Sequence, residues 1–212
     1  MSTRRLVAVL ARPARMLAPD RPLAPPGVDD DALALAMVED VVDLVAGMQE
    51  VEAALAVLHG YDAARVTTWP GMPVCELGPG STLVDVLDAL AELGGDEGTV
   101  VVGDAPDLPP LLVGKLHSAL TGAEVAVCPA DDGGLVALAS RLPVPEWLRK
   151  TDVPVNPDSG EILASLRRVA PRRTLQIGPG WHRFRRPEDV VRLDPGLEGW
   201  DATRALLSSR RS

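Results

Sequence analysis

The sequence predicts an α/β protein, a three-layer α/β/α sandwich around a mostly parallel central sheet. Three observations carry that expectation. Continuous apolar runs of strand length, such as Leu6 to Leu10 and Ala53 to Leu58, suit strands buried on both faces. Helical periodicity separates such runs, most clearly where Leu33, Met37, Val41, Leu44, Val45 and Met48 share one face of a helix over Asp30 to Met48. Finally, the strand Thr99-Val100-Val101-Val102 stops at Gly103-Asp104-Ala105-Pro106-Asp107 and gives way to an apolar-periodic helix, Leu111 to Leu120. A strand that hands carboxylates to a loop at its C-terminal end is where open α/β sheets build ligand sites.

Each element has a local reason. The segment from Arg12 to Pro26 holds five prolines and three arginines and reads as loop. Asp29-Asp30-Asp31 supplies a cap and a negative first turn for the helix that follows. Val74 to Leu77 forms a short strand, Gly78-Pro79-Gly80 breaks it, and Ser81 is placed to cap a helix carrying Leu83, Val84, Leu87, Leu90 and Leu93. Glu124 to Cys128 and Leu135 to Ala139 flank Asp131-Asp132-Gly133-Gly134 and predict a hairpin. A helix over Ser159 to Val169, a strand over Thr174 to Ile177 and an amphipathic piece over Trp200 to Leu207 complete the chain. With no internal repeat, residues 1–212 are expected to form one domain.

Composition narrows the function. A net charge of −9 argues against nonspecific nucleic-acid binding, which needs a basic face. Acidic residues dominate from Asp29 to Asp107, whereas Arg167, Arg168, Arg172, Arg173, Arg183, Arg185 and Arg186 crowd the C-terminal third, a cluster suited to an anionic small molecule or to plain solvation. Cys75 and Cys128 are isolated, which fits free thiols in a reducing cytoplasm. Leu6 to Ala11 is too short for a signal-peptide core, and no run approaches the roughly 20 apolar residues of a membrane span. A cytoplasmic protein is therefore expected, as monomer or homodimer.

The chemical candidates have competing structural readings. Asp104 and Asp107 are placed to ligate Mg²⁺ or Mn²⁺ through oxygen, yet Asp104 also suits a turn and Asp107 a helix N-cap. Asp131 and Asp132 suit either a plain hairpin turn or a site beside Asp104. Gly78 and Gly80 can present backbone N–H groups to a phosphate or simply turn the chain into a helix. Trp181-His182-Arg183-Phe184-Arg185-Arg186 mixes cations and aromatics that could bind phosphates, or is an exposed segment with solvated arginines. His59, His117 and His182 lack metal-ligand spacing, and His117 reads as structural.

Taken together, Gly103-Asp104-Ala105-Pro106-Asp107-Leu108 followed by Pro129-Ala130-Asp131-Asp132-Gly133-Gly134 resembles the glycosyltransferase-A-like proteins known as radical-SAM/selenodomain-associated transferases. Those are related to the molybdenum cofactor and 2-phospholactate guanylyltransferases. Weaker echoes lie at Arg15-Met16-Leu17-Ala18-Pro19, Gly78-Pro79-Gly80-Ser81 and Arg186-Pro187-Glu188-Asp189-Val190. The resemblance implies a nucleotide-binding sheet on which Asp104, with Asp107, holds a divalent cation (Mg²⁺ or Mn²⁺). Asp132, with Asp131, lies at the acceptor side, and Arg12, Arg15, Gly78, Gly80 and Arg185 face a nucleotide or nucleotide sugar. The chain departs from the family pattern where phosphates are usually gripped. The Lys-Thr-Arg-Leu run of the first loop is missing, Leu135 replaces a tyrosine, and Arg183 and Arg185 stand where terminal aspartates are usual. Arginine neutralises phosphate but cannot coordinate a metal. Two readings follow: a metal-dependent glycosyl- or nucleotidyltransferase, and a non-catalytic homologue that binds a partner or an anionic metabolite.

Overall fold

The computed structural model describes residues 3–209. Among these residues seven strands form one sheet: β1 (Arg5–Ala11), β2 (Glu52–Leu58), β3 (Val74–Leu77), β4 (Glu97–Val102), β5 (Val125–Pro129), β6 (Leu135–Arg141) and β7 (Leu175–Ile177), in the order β3-β2-β1-β4-β6-β5-β7. Only β6 runs against its neighbours. β1 pairs in parallel with β2 and β4, β2 with β3, and β5 with β7. The reversal of β6 against β4 and β5 follows from the predicted hairpin, since a short Asp-Gly turn can only return the chain antiparallel.

The helices are α1 (Ala14–Leu17), α2 (Asp30–Ala46), α3 (Leu83–Glu92), α4 (Pro110–Ala119), α5 (Ile162–Val169) and α6 (Asp201–Ser208). Alternation along β1 assigns the layers: Val7, Val9 and Ala11 pack with α2 and α4, while Leu6, Ala8 and Leu10 pack with α3 and α5. That arrangement is the α/β/α sandwich the sequence predicts. A third cluster joins α1, the start of α2 and α6 around Phe184, which is fully buried. Among the described residues no helix is long and apolar enough to cross a membrane.

Two local expectations change and a third holds. The proline-rich loop after β1 contains the one-turn α1, entered from Pro13 at φ −66°. Thr82, not Ser81, is the residue before α3; Asp85 Oδ2 accepts from its backbone N at 2.6 Å and from its hydroxyl at 2.8 Å. Asp29 caps α2 as expected, accepting from Ala32 N at 2.8 Å.

α6 depends on an acceptor from another helix. Asp40, buried on α2, accepts from Ala202 N and Thr203 N, both at 2.9 Å, and so caps α6 in trans. Asp40→Ala is expected to loosen α6 by about 0.5–2 kcal/mol, the usual worth of a cap. Hydrogen exchange should show faster exchange confined to residues 201–208, and a uniform loss of protection would count against this account.

Candidate functional site

The site lies at the carboxyl ends of β1 and β4. Gly103 is required at the end of β4, because a Cβ there would sit 2.7 Å from Val38 Cγ2 and 3.0 Å from the Leu10 carbonyl oxygen. The next residue, Asp104, is 1% exposed. Arg183 donates to its Oδ2 from Nε at 3.0 Å and from Nη2 at 2.8 Å. Arg12 Nη2 lies 3.4 Å from the same oxygen and Arg185 Nε 3.6 Å.

A second carboxylate ties the same three arginines. Asp158 accepts from Arg12 Nη1 at 2.6 Å, Arg183 Nη2 at 2.8 Å and Arg185 Nη1 at 2.5 Å. Its side chain is 42% exposed, whereas those of Arg12 and Arg183 are 5% and 1% exposed. Among the described residues, three guanidinium groups thus face two carboxylates, an excess of one positive charge.

Burial sets the electrostatics. It would raise the Asp104 carboxyl, but Arg183, Arg12 and Arg185 together hold it below the usual carboxylate range. Asp158 is lowered in the same way, against a desolvation penalty, by Arg12, Arg183 and Arg185. Burial would likewise lower Arg183, and Asp104 and Asp158 more than reverse it. Arg12 is the exception: burial lowers it, Asp104 only partly offsets that, and Arg183 and Arg185 repel it.

A lowered folded-state pKa in an acid stabilises the fold above the unfolded value, near 3.9, and that contribution is lost as pH falls through the folded value. The urea midpoint is therefore expected to hold from pH 7 to about pH 4 and to fall steeply below it. Asp104→Asn should flatten that descent, with most of the effect belonging to Asp104 because Asp158 is partly screened by solvent. An unchanged acid profile in the variant would contradict the ion cluster.

The divalent cation implied by the resemblance does not fit this donor set. Mg²⁺ and Mn²⁺ demand several oxygen ligands, and here the carboxylate of Asp104 is surrounded by guanidinium groups that would repel a cation. The carboxylate oxygens of Asp107 are engaged by Trp181, His182 and the Asp194 backbone N–H. Among the described residues no three His, Cys, Asp or Glu side chains gather as a metal cluster.

Asp107 also does not cap the helix. The residue before α4 is Pro109, and it makes no side-chain cap. Buried Asp107 instead accepts from Trp181 Nε1 at 3.3 Å and from Asp194 N at 3.0 Å, and lies 3.0 Å from His182 Nε2. It fastens the segment 181–186 across the sheet edge. There Phe184 N donates to the Asp104 carbonyl at 2.7 Å, and Arg185 Nε donates to the Leu17 carbonyl at 2.6 Å. This segment is not a solvated loop: Arg183 and Phe184 are buried.

Among the described residues no ion-pair partner is shared between the hairpin aspartates and Asp104. Asp131 accepts from Arg192 Nη2 at 2.8 Å, and both Asp131 and Asp132 are exposed. Among the described residues Asp132 makes no ion pair, although Arg186 feels its charge. Gly134 closes the turn at φ +83° and lets the Pro157 carbonyl approach, accepting from Leu135 N and Arg183 Nη1, each at 2.9 Å.

Beside the cluster is a cavity of about 210 Å³. Leu10, Leu58, Leu77, Leu83 and Val86 supply apolar walls, Gly80, Ser81 and Thr82 a polar lip, and Arg12 and Asp158 the charged end. Gly80, at φ +82°, turns the chain into this lip, while Gly78 is exposed behind it. Arg15 is exposed on α1 and makes no ion pair among the described residues. A wider groove of about 1130 Å³ between α4 and β7 is lined by Arg173 of the C-terminal arginine cluster but by none of the residues implied by the resemblance.

The sequence reading brought Asp104, Arg12 and Arg185 to one place and missed Asp158 and the burial of Arg183. Asn156-Pro157-Asp158-Ser159-Gly160 carries turn residues only, so nothing local marks its aspartate as part of a site. The other candidates are structural. His117 Nε2 sits 3.0 Å from Thr99 Oγ1 in the core, and burial lowers its pKa, further depressed by Arg5. Burial pushes the Cys128 thiol up to about 12, which leaves it no nucleophile.

No family model and no curated protein sequence matches the chain. Solved structures do resemble it. A candidate nucleotide-diphospho-sugar transferase from Desulfovibrio desulfuricans aligns over 98% of each chain at 16% identity, with a TM-score of 0.67. CMP:2-keto-3-deoxy-manno-octonic acid synthetase complexed with CTP aligns over 99% of this chain and 100% of its own at 13% identity, TM-score 0.59. A manganese complex of a Mycobacterium tuberculosis protein aligns over 98% of this chain and 100% of its own at 16% identity, TM-score 0.50. At these identities the likeness is one of fold, and the chain has the nucleotide-diphospho-sugar transferase-like fold.

Proposed function

We propose that the protein binds a nucleotide or nucleotide sugar at the carboxyl edge of its sheet and belongs functionally with the nucleotidyl- and glycosyltransferases. One observation carries this reading. A cavity with apolar walls, sized for a base and ribose, ends at a buried cluster with a surplus positive charge, where phosphates would lie. The nucleoside would rest against Leu58, Leu77 and Leu83, with Gly80 and Ser81 at its rim. Arg12 and Arg185 would face the phosphates, and Arg15 would approach from α1. Asp132, exposed at the hairpin tip with Asp131 beside it, would be the general base toward an acceptor hydroxyl. The finer likeness to radical-SAM-associated transferases and to guanylyltransferases is part of the same proposal, and so is residence in the cytoplasm.

The first test is a thermal-shift panel of nucleoside triphosphates and nucleotide sugars, CTP included because the synthetase of similar fold is complexed with it. A ligand at 100 times its Kd adds about 2.7 kcal/mol of stability. If no nucleotide raises the melting temperature, the proposal fails. A second reading, a non-catalytic binding protein, is favoured by the ion pairs that occupy Asp104 and Asp131. Nucleotide transfer that Asp132→Ala abolishes would exclude it.

A further inference from the structure

We propose that the arginine cluster is itself the phosphate seat, that it works without a divalent cation, and that Asp158 fills it until the ligand arrives. The inference rests on the nucleotide reading for the identity of the ligand, but its geometry is independent of that reading.

Three features point the same way. First, among the described residues the cluster has three cations for two carboxylates, so it is one anion short of neutrality. Second, Arg12 is 5% exposed, lines the cavity, and has a buried Nε–H with no acceptor among the described residues. A buried donor left unpaired is costly, and an entering phosphate would bring the oxygen it lacks. The depression of Arg12 by burial and by its two arginine neighbours says that this cation is under-compensated as it stands.

Third, Asp158 is the solvent-facing half of the arrangement. Asp104 is buried beneath the guanidinium groups at the end of β4, whereas Asp158 is 42% exposed and belongs to a segment outside any helix or strand. One carboxylate receiving a hydrogen bond from each of three arginines copies the way a phosphate is held. A diphosphate carries more charge and more acceptor oxygens than a carboxylate, and would displace it. Asp104 would stay behind as the fixed counter-charge that keeps the arginines apart and aimed.

The experiment is calorimetric titration of the intact chain with inorganic pyrophosphate and, separately, with CTP, each in EDTA and in excess Mn²⁺. The expected result is pyrophosphate binding in EDTA, not strengthened by Mn²⁺. Asp158→Asn should tighten it roughly tenfold, and Arg12→Lys, which keeps the charge but loses the fork and its Nε–H, should weaken it roughly tenfold. A site that needed the metal would respond in the opposite sense to Asp158→Asn, losing a carboxylate ligand and affinity with it.

Binding of either probe only with Mn²⁺, or weaker binding in Asp158→Asn, overturns the inference while leaving the nucleotide reading intact. Pyrophosphate binding in EDTA with no response to any nucleotide supports the anion seat and sinks the nucleotide reading. If neither probe binds under either condition, both fail. Circular dichroism on each variant keeps misfolding from passing as lost binding.

Discussion

Asp104→Ala is expected to lower stability by about 3–5 kcal/mol, the usual penalty for removing one partner from a buried ion pair. The reason is local. Asp104 is the buried counter-charge to Arg12, Arg183 and Arg185, and without it two almost fully buried guanidinium groups share the single, half-exposed carboxylate of Asp158. For a chain of this length the melting temperature should fall by roughly 6–20 °C. Asp104→Asn, which keeps the volume and one acceptor, should recover only part of that. Were Asp104 an ordinary turn residue, the alanine variant would stay within about 0.5 kcal/mol of the parent. Thermal and urea unfolding of the three proteins separate these outcomes. Salt should change the difference little, because the pair is shielded from solvent.

Gly134→Ala should be nearly as damaging, at about 2–5 kcal/mol, and for a different reason. The residue sits at φ +83°, where an L side chain costs about 1–2 kcal/mol. Its Cβ would also lie 2.0 Å from the Pro157 carbonyl oxygen, so backbone must move, at about 1–3 kcal/mol. That carbonyl accepts from Arg183 Nη1, and the next residue is Asp158. The displacement should therefore reach the ion cluster. Unfolding midpoints measure the stability loss, and pyrophosphate titration of the variant measures the damage to the seat. A loss under 1 kcal/mol would show that the turn is softer than its contacts indicate. The same variant at Gly133, also at positive φ but with its nearest outside atom at 3.5 Å, should lose only the strain and is the natural control.

The layered fold was legible because its signals are local. Apolar runs name β1, β2 and β4, the 3.6-residue period names α2 and α3, and Asp132-Gly133 names the hairpin that reverses β6. What could not be read was which charges meet. Arg12, Asp104, Asp158 and Arg183 are scattered over more than 170 positions, and no spacing rule joins them. Two misreadings share that cause. The run 181–186 looks solvated by composition, yet Asp107 and the Asp104 carbonyl fasten it over the sheet edge and bury Arg183. Asp107 looks like a cap because Leu108-Pro109-Pro110 begins a helix, but tertiary partners claim its carboxylate first. Asp104 is the mixed case. Its place at the end of β4 follows from the Val-Val-Val-Gly-Asp run, while its arginine surroundings come from two distant segments, Arg12 after β1 and Arg183 and Arg185 in the strap.

The strap formed by residues 181–186 has a consequence for the order in which the molecule is assembled. β1, β4 and the Asp158 segment all precede it in the chain, so an intermediate can possess the sheet before the strap docks. In that intermediate Arg12 alone answers Asp104 and Asp158, and the nascent site is one charge negative. Docking brings Arg183 and Arg185 and reverses its sign. Affinity for an anion thus depends on the docked strap, which makes ligand binding a reporter of that docking rather than of the sheet alone.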